Sequence, residues 1–212
     1  MGNRAVITTK DNFVDNGIGV YLHWNGGRDS VEAFLKYCEL RGFRSPDRDH
    51  YGWARLVQVI SNFFGPDGLS IGVDVVDHLD CDNWDNGVYF IEGWQIVGRK
   101  YFEGEEQHSY DLNEMLIAID EAQPEHQQLG AYILAKEVPV TDLKVGDKIY
   151  YKNPWNGKLH IVEILALGDD RVVNGTNVKG MPYADICGGG LGKDNINNYI
   201  REETVRLAPG TE

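Results

Sequence analysis

Residues 18–40 change from a strand pattern to a helix pattern, and they read IGVYLHWNGGRDSVEAFLKYCEL. Apolar and polar residues alternate from Ile18 to Trp24, as in a strand with one buried face. Asn25-Gly26-Gly27 then breaks the strand, and Asp29 with Glu32 forms a capping box for a helix. The apolar stripe of that helix consists of Val31, Phe34, Leu35 and Cys38. A strand therefore leads directly into an amphipathic helix, which predicts helices packed on a sheet.

Similar patterns elsewhere predict further strands and three helices in all. Ala5–Thr9 is expected to form a β-hairpin with Ile18–Trp24 through the turn at Asp15-Asn16-Gly17. Asp111 and Glu114 form a second capping box ahead of an apolar stripe, which predicts a helix. The remaining predicted elements are a helix over about Asp49 to Phe64 and an antiparallel meander of Leu69 to Val76, Val88 to Glu92 and Gln95 to Phe102.

The pattern of apolar and turn-forming residues changes after Pro124. Short apolar runs alternate with Gly and Asn turns from Gly130 onward, as in small barrels or curled sheets. The predicted strands are Ala131 to Ala135, Lys148 to Tyr151, Leu159 to Leu167 and Arg171 to Val173. We therefore predict an α+β protein of two domains. Residues 1–128 hold an antiparallel sheet with three helices, and residues 129–212 form a small β-rich, barrel-like domain.

The formal net charge of −13 is confined to one third of the sequence. Residues 67–125 contain 15 Asp and Glu residues against only Arg99 and Lys100, and the rest of the chain is neutral overall. Such a field repels nucleic acid and anionic lipid and attracts basic surfaces. The pattern predicts a protein partner with a basic surface and argues against direct binding of nucleic acid or membranes. Solubility is the alternative role of the acids.

Carboxylates and aromatic rings crowd one loop of the acidic segment. When Asp80 takes the first ligand position of the known calcium loop, Trp84 stands at the fifth, so a solvated loop or a protein-binding surface is favoured over a metal site. Exposed aromatic residues beside acids are typical of interface hot spots. We expect no bound metal and no cofactor. The predicted partner-binding residues are Asp77, Asp80, Asp82, Trp84, Asp85 and Trp94.

The loop between the first predicted strand and helix offers an alternative site. Gly26, Gly27, Asp29 and Ser30 resemble the SGGxDS pyrophosphate loop of the ATP pyrophosphatase family, with Asn25 in place of the first Ser. The resemblance implies nucleotide-phosphate binding by backbone N–H groups at a helix N-terminus. That family has a parallel, doubly wound sheet, whereas hairpins are predicted here. In the simpler interpretation, the glycines form the turn and Asp29 caps the helix.

The cysteines and the hydropathy pattern favour a cytoplasmic location. Cys38, Cys81 and Cys187 are odd in number and widely spaced, which is no disulfide framework. No apolar run approaches the roughly 20 residues of a membrane helix, and the N-terminal residues do not form a signal peptide. No sequence signature places a base beside Cys187, so no catalytic residue is predicted.

The opening of the chain resembles a group of proteins from tailed phages and gut bacteria. The likeness rests on GNRAVIT at residues 2–8 and GVYLHWNGG at residues 19–27, and it covers roughly the first 100 residues. It implies a phage or mobile-element setting and no activity. We expect a non-enzymatic acidic protein that occupies a basic site on a host nucleic-acid-handling or defence protein. The alternatives are a nucleotide-phosphate-binding enzyme or sensor and a self-assembling structural phage component.

Overall fold

The chain divides into two compact units, Met1–Ile133 and Leu134–Glu212. The computed structural model describes residues 2–66, 70–106, 111–152, 158–167, 172–173, 176–177, 182–185 and 204–210. The division lies between Ile133 and Leu134, a few residues beyond the join that the sequence predicts near Gln128 to Gly130. No helix of the described residues is long and apolar enough to cross a membrane.

A five-stranded mixed sheet forms the centre of the first unit. Its strands are β1 (Ala5–Thr8), β2 (Ile18–Leu22), β3 (Ile71–Val75), β4 (Val88–Glu92) and β5 (Gln95–Lys100), in the order β3-β2-β1-β4-β5. The predicted hairpin pairs β1–β2 and β4–β5 are antiparallel, and β2–β3 is antiparallel as well. The central pair β1–β4 is parallel. Every residue of the central strand β1 is buried.

Two features of this sheet correct the sequence prediction. The predicted antiparallel meander is wrong for β3, which pairs with β2 and not with β4. Residues 76–87 instead carry the chain from the β3 edge to β4, next to β1. The connection between β1 and β2 is also longer than a tight turn, because it contains a short helix, α1 (Lys10–Val14), capped by the side chain of Thr9.

Three longer helices complete the first unit, α2 (Arg28–Arg41), α3 (His50–Phe64) and α4 (Leu112–Glu121). Asp111 caps α4 by accepting two backbone N–H groups, as predicted, and Asp49 caps α3 by accepting the N–H of Tyr51. The helix α2 ends at Gly42 with φ +68°. Apolar side chains fully or almost fully buried in this unit include Ile7, Leu22, Phe34, Leu35, Leu56, Ile60 and Ile119.

A buried carboxylate holds the last segment of the first unit against its helices. Asp120 of α4 is only 5% exposed. It accepts a hydrogen bond from the Tyr37 hydroxyl at 2.7 Å, from the Leu129 N–H at 2.7 Å and from the Gly130 N–H at 2.8 Å. Burial and the bond to Asp120 raise the pKa of Tyr37. This contact explains why the first unit extends past the predicted join.

The second unit contains a five-stranded antiparallel sheet and a two-stranded ribbon. The strands are β6 (Glu137–Pro139), β7 (Lys148–Lys152), β8 (Leu159–Leu167), β9 (Val172–Val173), β10 (Thr176–Asn177), β11 (Pro182–Asp185) and β12 (Thr204–Leu207). The sheet has the order β11-β8-β7-β12-β6, and the ribbon pairs β9 with β10. Its buried cluster consists of Leu143, Ile149, Val162, Ile164 and Val205.

One predicted strand of this part of the chain is confirmed and another is wrong. The strand over Leu159–Leu167 is confirmed, whereas the predicted strand at Ala131 to Ala135 is wrong, because residues 130–132 form a 3₁₀ turn at the end of the first unit. Among the described residues the sheet does not close on itself. The α+β class is therefore confirmed, and the barrel-like arrangement stays a prediction.

Replacing Asp120 with alanine should destabilise the first unit by about 3 kcal/mol, since two backbone N–H groups and one hydroxyl lose a buried acceptor. Glu121→Ala is the matched control, because this neighbouring residue of α4 is exposed and should change stability by no more than about 0.5 kcal/mol. Urea unfolding measures both. Equal stabilities of the two variants would show that the Asp120 contacts do not stabilise the unit.

Residues 1–133 expressed alone should unfold cooperatively, since they carry their own buried core. A second fragment, residues 1–128, should be less stable because it lacks the Leu129 and Gly130 donors to Asp120. Thermal unfolding followed by circular dichroism compares the two fragments. If the 1–133 fragment is unfolded, the two units depend on each other and the two-domain interpretation is wrong.

Candidate functional site

Residues 76–87 pack on the surface of the sheet of the first unit. The Val76 N–H donates to the Gly17 carbonyl at 2.9 Å, next to the start of β2. Farther along, Leu79 packs closely on β2, because a Cβ added to Gly19 would lie 2.8 Å from the Leu79 Cδ1. The loop is therefore seated on β2 before it reaches the residues predicted to bind a partner.

Asn83 organises the second half of this segment, residues 80–86, which we call the Trp84 loop. The Asn83 side chain is fully buried. Its Nδ2 donates to the carbonyls of Asp80 and Gly87 at 3.0 and 3.3 Å, and its Oδ1 accepts from the N–H groups of Asp85 and Gly87 at 3.1 and 3.0 Å. The buried amide of Asn83 is thus fully hydrogen-bonded, and its four bonds link the two ends of the loop.

Arg4 ties the Trp84 loop to the start of β1. Its backbone N–H and its Nε both donate to Asp85 Oδ2, at 3.1 and 2.7 Å, and its Nη1 lies 3.4 Å from Asp80 Oδ2. The hydrogen bond to Asp85 is the main reason that the pKa of Arg4 is raised. Arg4 therefore partly neutralises the charges of Asp80 and Asp85. Asp82 is exposed.

Trp84 is the most unusual residue of the loop. Its side chain is 90% exposed, and its φ of +59° lies in the left-handed region that bulky residues avoid. An exposed indole gains nothing from folding, and an uncommon backbone conformation persists only where the surroundings enforce it. Here the Asn83 and Arg4 contacts supply that constraint. The loop holds a large apolar ring in solvent, beside Asp82.

The structure brings four of the predicted partner-binding residues together, namely Asp80, Asp82, Trp84 and Asp85. Asp77 lies apart, near the start of β2, where its N–H donates to Asn16 Oδ1 at 2.8 Å. The Trp84 loop instead lies at the other end of β2, because Ala5 beside Arg4 pairs with Leu22. Asp77 can thus contribute to the acidic field at this loop, without belonging to it.

Trp94 corrects the sequence prediction, because its ring is not exposed. It is 8% exposed, and its Nε1 donates to the Phe43 carbonyl at 2.8 Å. The Gly93 N–H of the same turn donates to Asp47. The turn between β4 and β5 is thus anchored to the segment between α2 and α3, and Trp94 cannot contribute an exposed ring to a binding surface.

Sequence reasoning missed Arg4 and Asn83, although they hold the loop in place. It also did not single out Tyr21 of β2 or His23, which directly follows β2, as neighbours of the loop. The Tyr21 hydroxyl lies 3.1 Å from His23 Nδ1, and His23 packs edge-on against Trp24 at 5.2 Å between ring centroids. Burial and the nearby Asp80 carboxylate raise the pKa of Tyr21. This aromatic group borders the loop on the Asp80 side.

The glycine loop before α2 has a structural role. Gly27, not Asp29, is the N-cap of α2, so the predicted capping by Asp29 is wrong. Asp29 lies in the first turn, where its Oδ1 accepts the free Ser30 N–H at 2.7 Å. The Gly26 N–H donates to the Asn3 carbonyl at 2.7 Å, and a Cβ on Gly26 would lie 2.6–2.7 Å from backbone atoms of residues 3–5.

These contacts leave little for a phosphate to bind in the Asn25–Ser30 loop. Gly26, Gly27 and Ser30 are buried, and the Gly26 N–H already has an acceptor. The same segment is linked to the Trp84 loop, because the Asn86 Nδ2 donates to Asn3 Oδ1 and the Asn86 N–H donates to the Arg4 carbonyl. Both loops singled out in the sequence therefore lie at one end of the sheet, against residues 3–5.

The described residues contain no group of three or more His, Cys, Asp or Glu side chains that could hold a metal ion. Cys38 is buried, and burial raises the pKa of its thiol. Cys187 lies outside the described residues.

No protein-family model, no curated protein and no solved structure matches this chain. The proposals below therefore rest on the residues and contacts of the chain itself.

Gly26→Ala should destabilise the protein by about 2 kcal/mol, because the new methyl group meets backbone that has no room to move. Gly72→Ala in β3 is the control, since its Cβ would only make ordinary contact with Tyr21, at 3.7 Å. Urea unfolding measures both variants.

ATP with magnesium should leave the melting temperature of the wild type unchanged. A rise with ATP that Gly26→Ala abolishes would establish the nucleotide-binding alternative.

Proposed function

We propose that this protein acts by binding, without chemistry of its own, and that the Trp84 loop inserts into a basic surface of a partner protein. The observation that carries the proposal is the 90% exposure of Trp84 in a left-handed backbone conformation. Residues held in uncommon conformations cluster at binding and active sites, where the surroundings enforce them. Tryptophan is also among the residues most enriched in interface hot spots.

The restraints on the loop favour tight binding. The Asn83 and Arg4 hydrogen bonds order the backbone before any partner arrives. Binding then avoids much of the entropy loss that a flexible loop would suffer. Trp84 can therefore contribute the burial of its ring with a small ordering cost, as a preformed anchor.

The charges around the loop favour a basic partner. Asp82 is exposed beside Trp84, and the acidic segment 67–125 supplies the longer-range negative field. Charges at the rim of an interface mainly raise the association rate and set its salt dependence. Asp80 and Asp85 contribute less, because Arg4 already pairs with them. The indole accordingly supplies affinity, and the carboxylates supply steering.

The proposed partner is a host protein that handles nucleic acid or acts in defence. Such proteins carry basic surfaces that recognise phosphates, and a negative surface with an apolar anchor can occupy them. The phage or mobile-element setting is implied by the resemblance of roughly the first 100 residues, which include the Trp84 loop. In this setting the protein acts as an antagonist.

The test is affinity purification from host lysate with wild type, Trp84→Ala and Asp82→Asn as baits. Val14→Ala and Glu92→Gln are matched controls, since Val14 is 80% exposed and Glu92 is an exposed acid at the other end of β4. Wild type and both controls should retain the same host protein. Trp84→Ala should weaken its binding by about 30-fold or more, as expected for a hot spot. Asp82→Asn should slow association and flatten its salt dependence.

Binding kinetics with the purified partner decide the outcome. A partner that binds Trp84→Ala as tightly as wild type would contradict the role of the loop. An association rate that is insensitive to salt between roughly 50 and 200 mM would contradict the basic surface on the partner.

A further inference from the structure

Four arginines form a second charged surface that the net charge of the chain conceals. Arg41, Arg44 and Arg55 lie over the rings of Phe43 and Tyr51, and Arg48 is exposed in the same segment. We call these six residues the arginine patch. Arg44 is 68% exposed, and Tyr51 is 56% exposed. The acids within the segment have structural partners, since Asp49 pairs with Arg44 at 2.5 Å and Asp47 accepts the Gly93 N–H. Residues 41–55 hold four arginines against these two aspartates, which leaves a formal charge of +2 in an acidic protein.

The aromatic rings of the patch support guanidinium groups. Arg41 and Arg55 lie over the Phe43 ring at 5.4 and 5.6 Å, and Arg44 lies over the Tyr51 ring at 5.3 Å. His50 also packs on Tyr51, with ring centroids 4.7 Å apart. A platform for nucleic-acid bases needs open ring faces. This patch presents guanidinium groups supported by the rings instead, which are suited to carboxylates and phosphates.

The arginine patch and the Trp84 loop lie at opposite ends of β4. The loop is fastened to Gly87, just before β4, through Asn83. The patch is fastened just after β4, where the Trp94 Nε1 donates to the Phe43 carbonyl. The five residues of β4 span about 17 Å at roughly 3.4 Å per residue. Each molecule thus carries an acidic surface with an exposed indole at one end and a basic surface at the other.

We infer that the arginine patch of one copy binds the Trp84 loop of a second copy. Charge complementarity supports this pairing, because the exposed Asp82 beside Trp84 supplies a carboxylate for the guanidinium groups. The two surfaces differ and lie at opposite ends, so the contact is heterologous and adds molecules head to tail. The contact uses the same loop as the proposed function, and a host partner would therefore compete with self-association.

Self-association should be weak and should decrease with salt, since it opposes the net charge of −13 and depends on exposed charges. Sedimentation velocity at low salt, over a range of concentrations, should show wild type forming dimers and larger species. Two variants each remove one surface. The patch variant carries Arg48→Glu with Arg55→Glu, and the loop variant carries Asp82→Lys with Trp84→Ala.

Each variant alone should associate at least tenfold more weakly than wild type. A mixture of both should form a one-to-one dimer and nothing larger, because it contains one intact patch and one intact loop for each pair. A control with Lys10→Glu and Lys36→Glu makes the same charge change elsewhere and should associate like wild type. Melting temperatures confirm that all variants are folded.

The proposal is overturned if wild type stays monomeric at low salt up to about 1 mM, or if the mixed variants form no dimer. It is also overturned if a fluorescent oligothymidylate binds the patch while wild type stays monomeric, which would assign the patch to nucleic acid. The patch variant should still bind the host partner, whereas the loop variant should not. Failure of self-association is thereby distinguished from failure of the proposed function.

Discussion

The contact between Arg4 and Asp85 joins the centre of the sheet to the loop that carries Trp84. It depends on β1, which is fully buried and pairs with β2 on one side and β4 on the other. Because β1 and β4 are parallel, the entrance to both strands lies at the same end of the sheet. The residues before β1 can therefore hold the Trp84 loop and the glycine loop before α2 together. An exposed tryptophan in a left-handed conformation can persist only on such a support.

Local patterns predicted the elements of the fold well, and long-range pairing poorly. The caps at Asp49 and Asp111 were predictable, because one side chain meets backbone only two or three residues away. The predicted cap at Asp29 was wrong, since the N-cap of α2 is Gly27 and Asp29 lies in the first turn of the helix. The parallel pairing of β1 with β4 joins residues some eighty positions apart, and no local pattern specifies it.

The candidate site was predictable only in part for the same reason. The crowding of Asp80, Asp82 and Trp84 is visible in the sequence, but the support by Arg4 is not, because Arg4 is distant along the chain. Trp94 resembles Trp84 in its polar, turn-like sequence context, but its side chain is buried. Its indole Nε1 donates to the Phe43 carbonyl, a contact that the sequence does not reveal. Segment charges likewise concealed the arginine patch, because the acidic and basic residues of the first 66 residues nearly cancel in number.

Both proposals depend on the Trp84 loop being ordered in the free protein. Backbone ¹⁵N relaxation measures this directly for the amides of residues 80–86. The hydrogen bonds of Asn83 and Arg4 predict order parameters of about 0.85, equal to those of the strands. Values below about 0.6 would mean that the loop is mobile on the picosecond to nanosecond timescale, and they would contradict a preformed binding element.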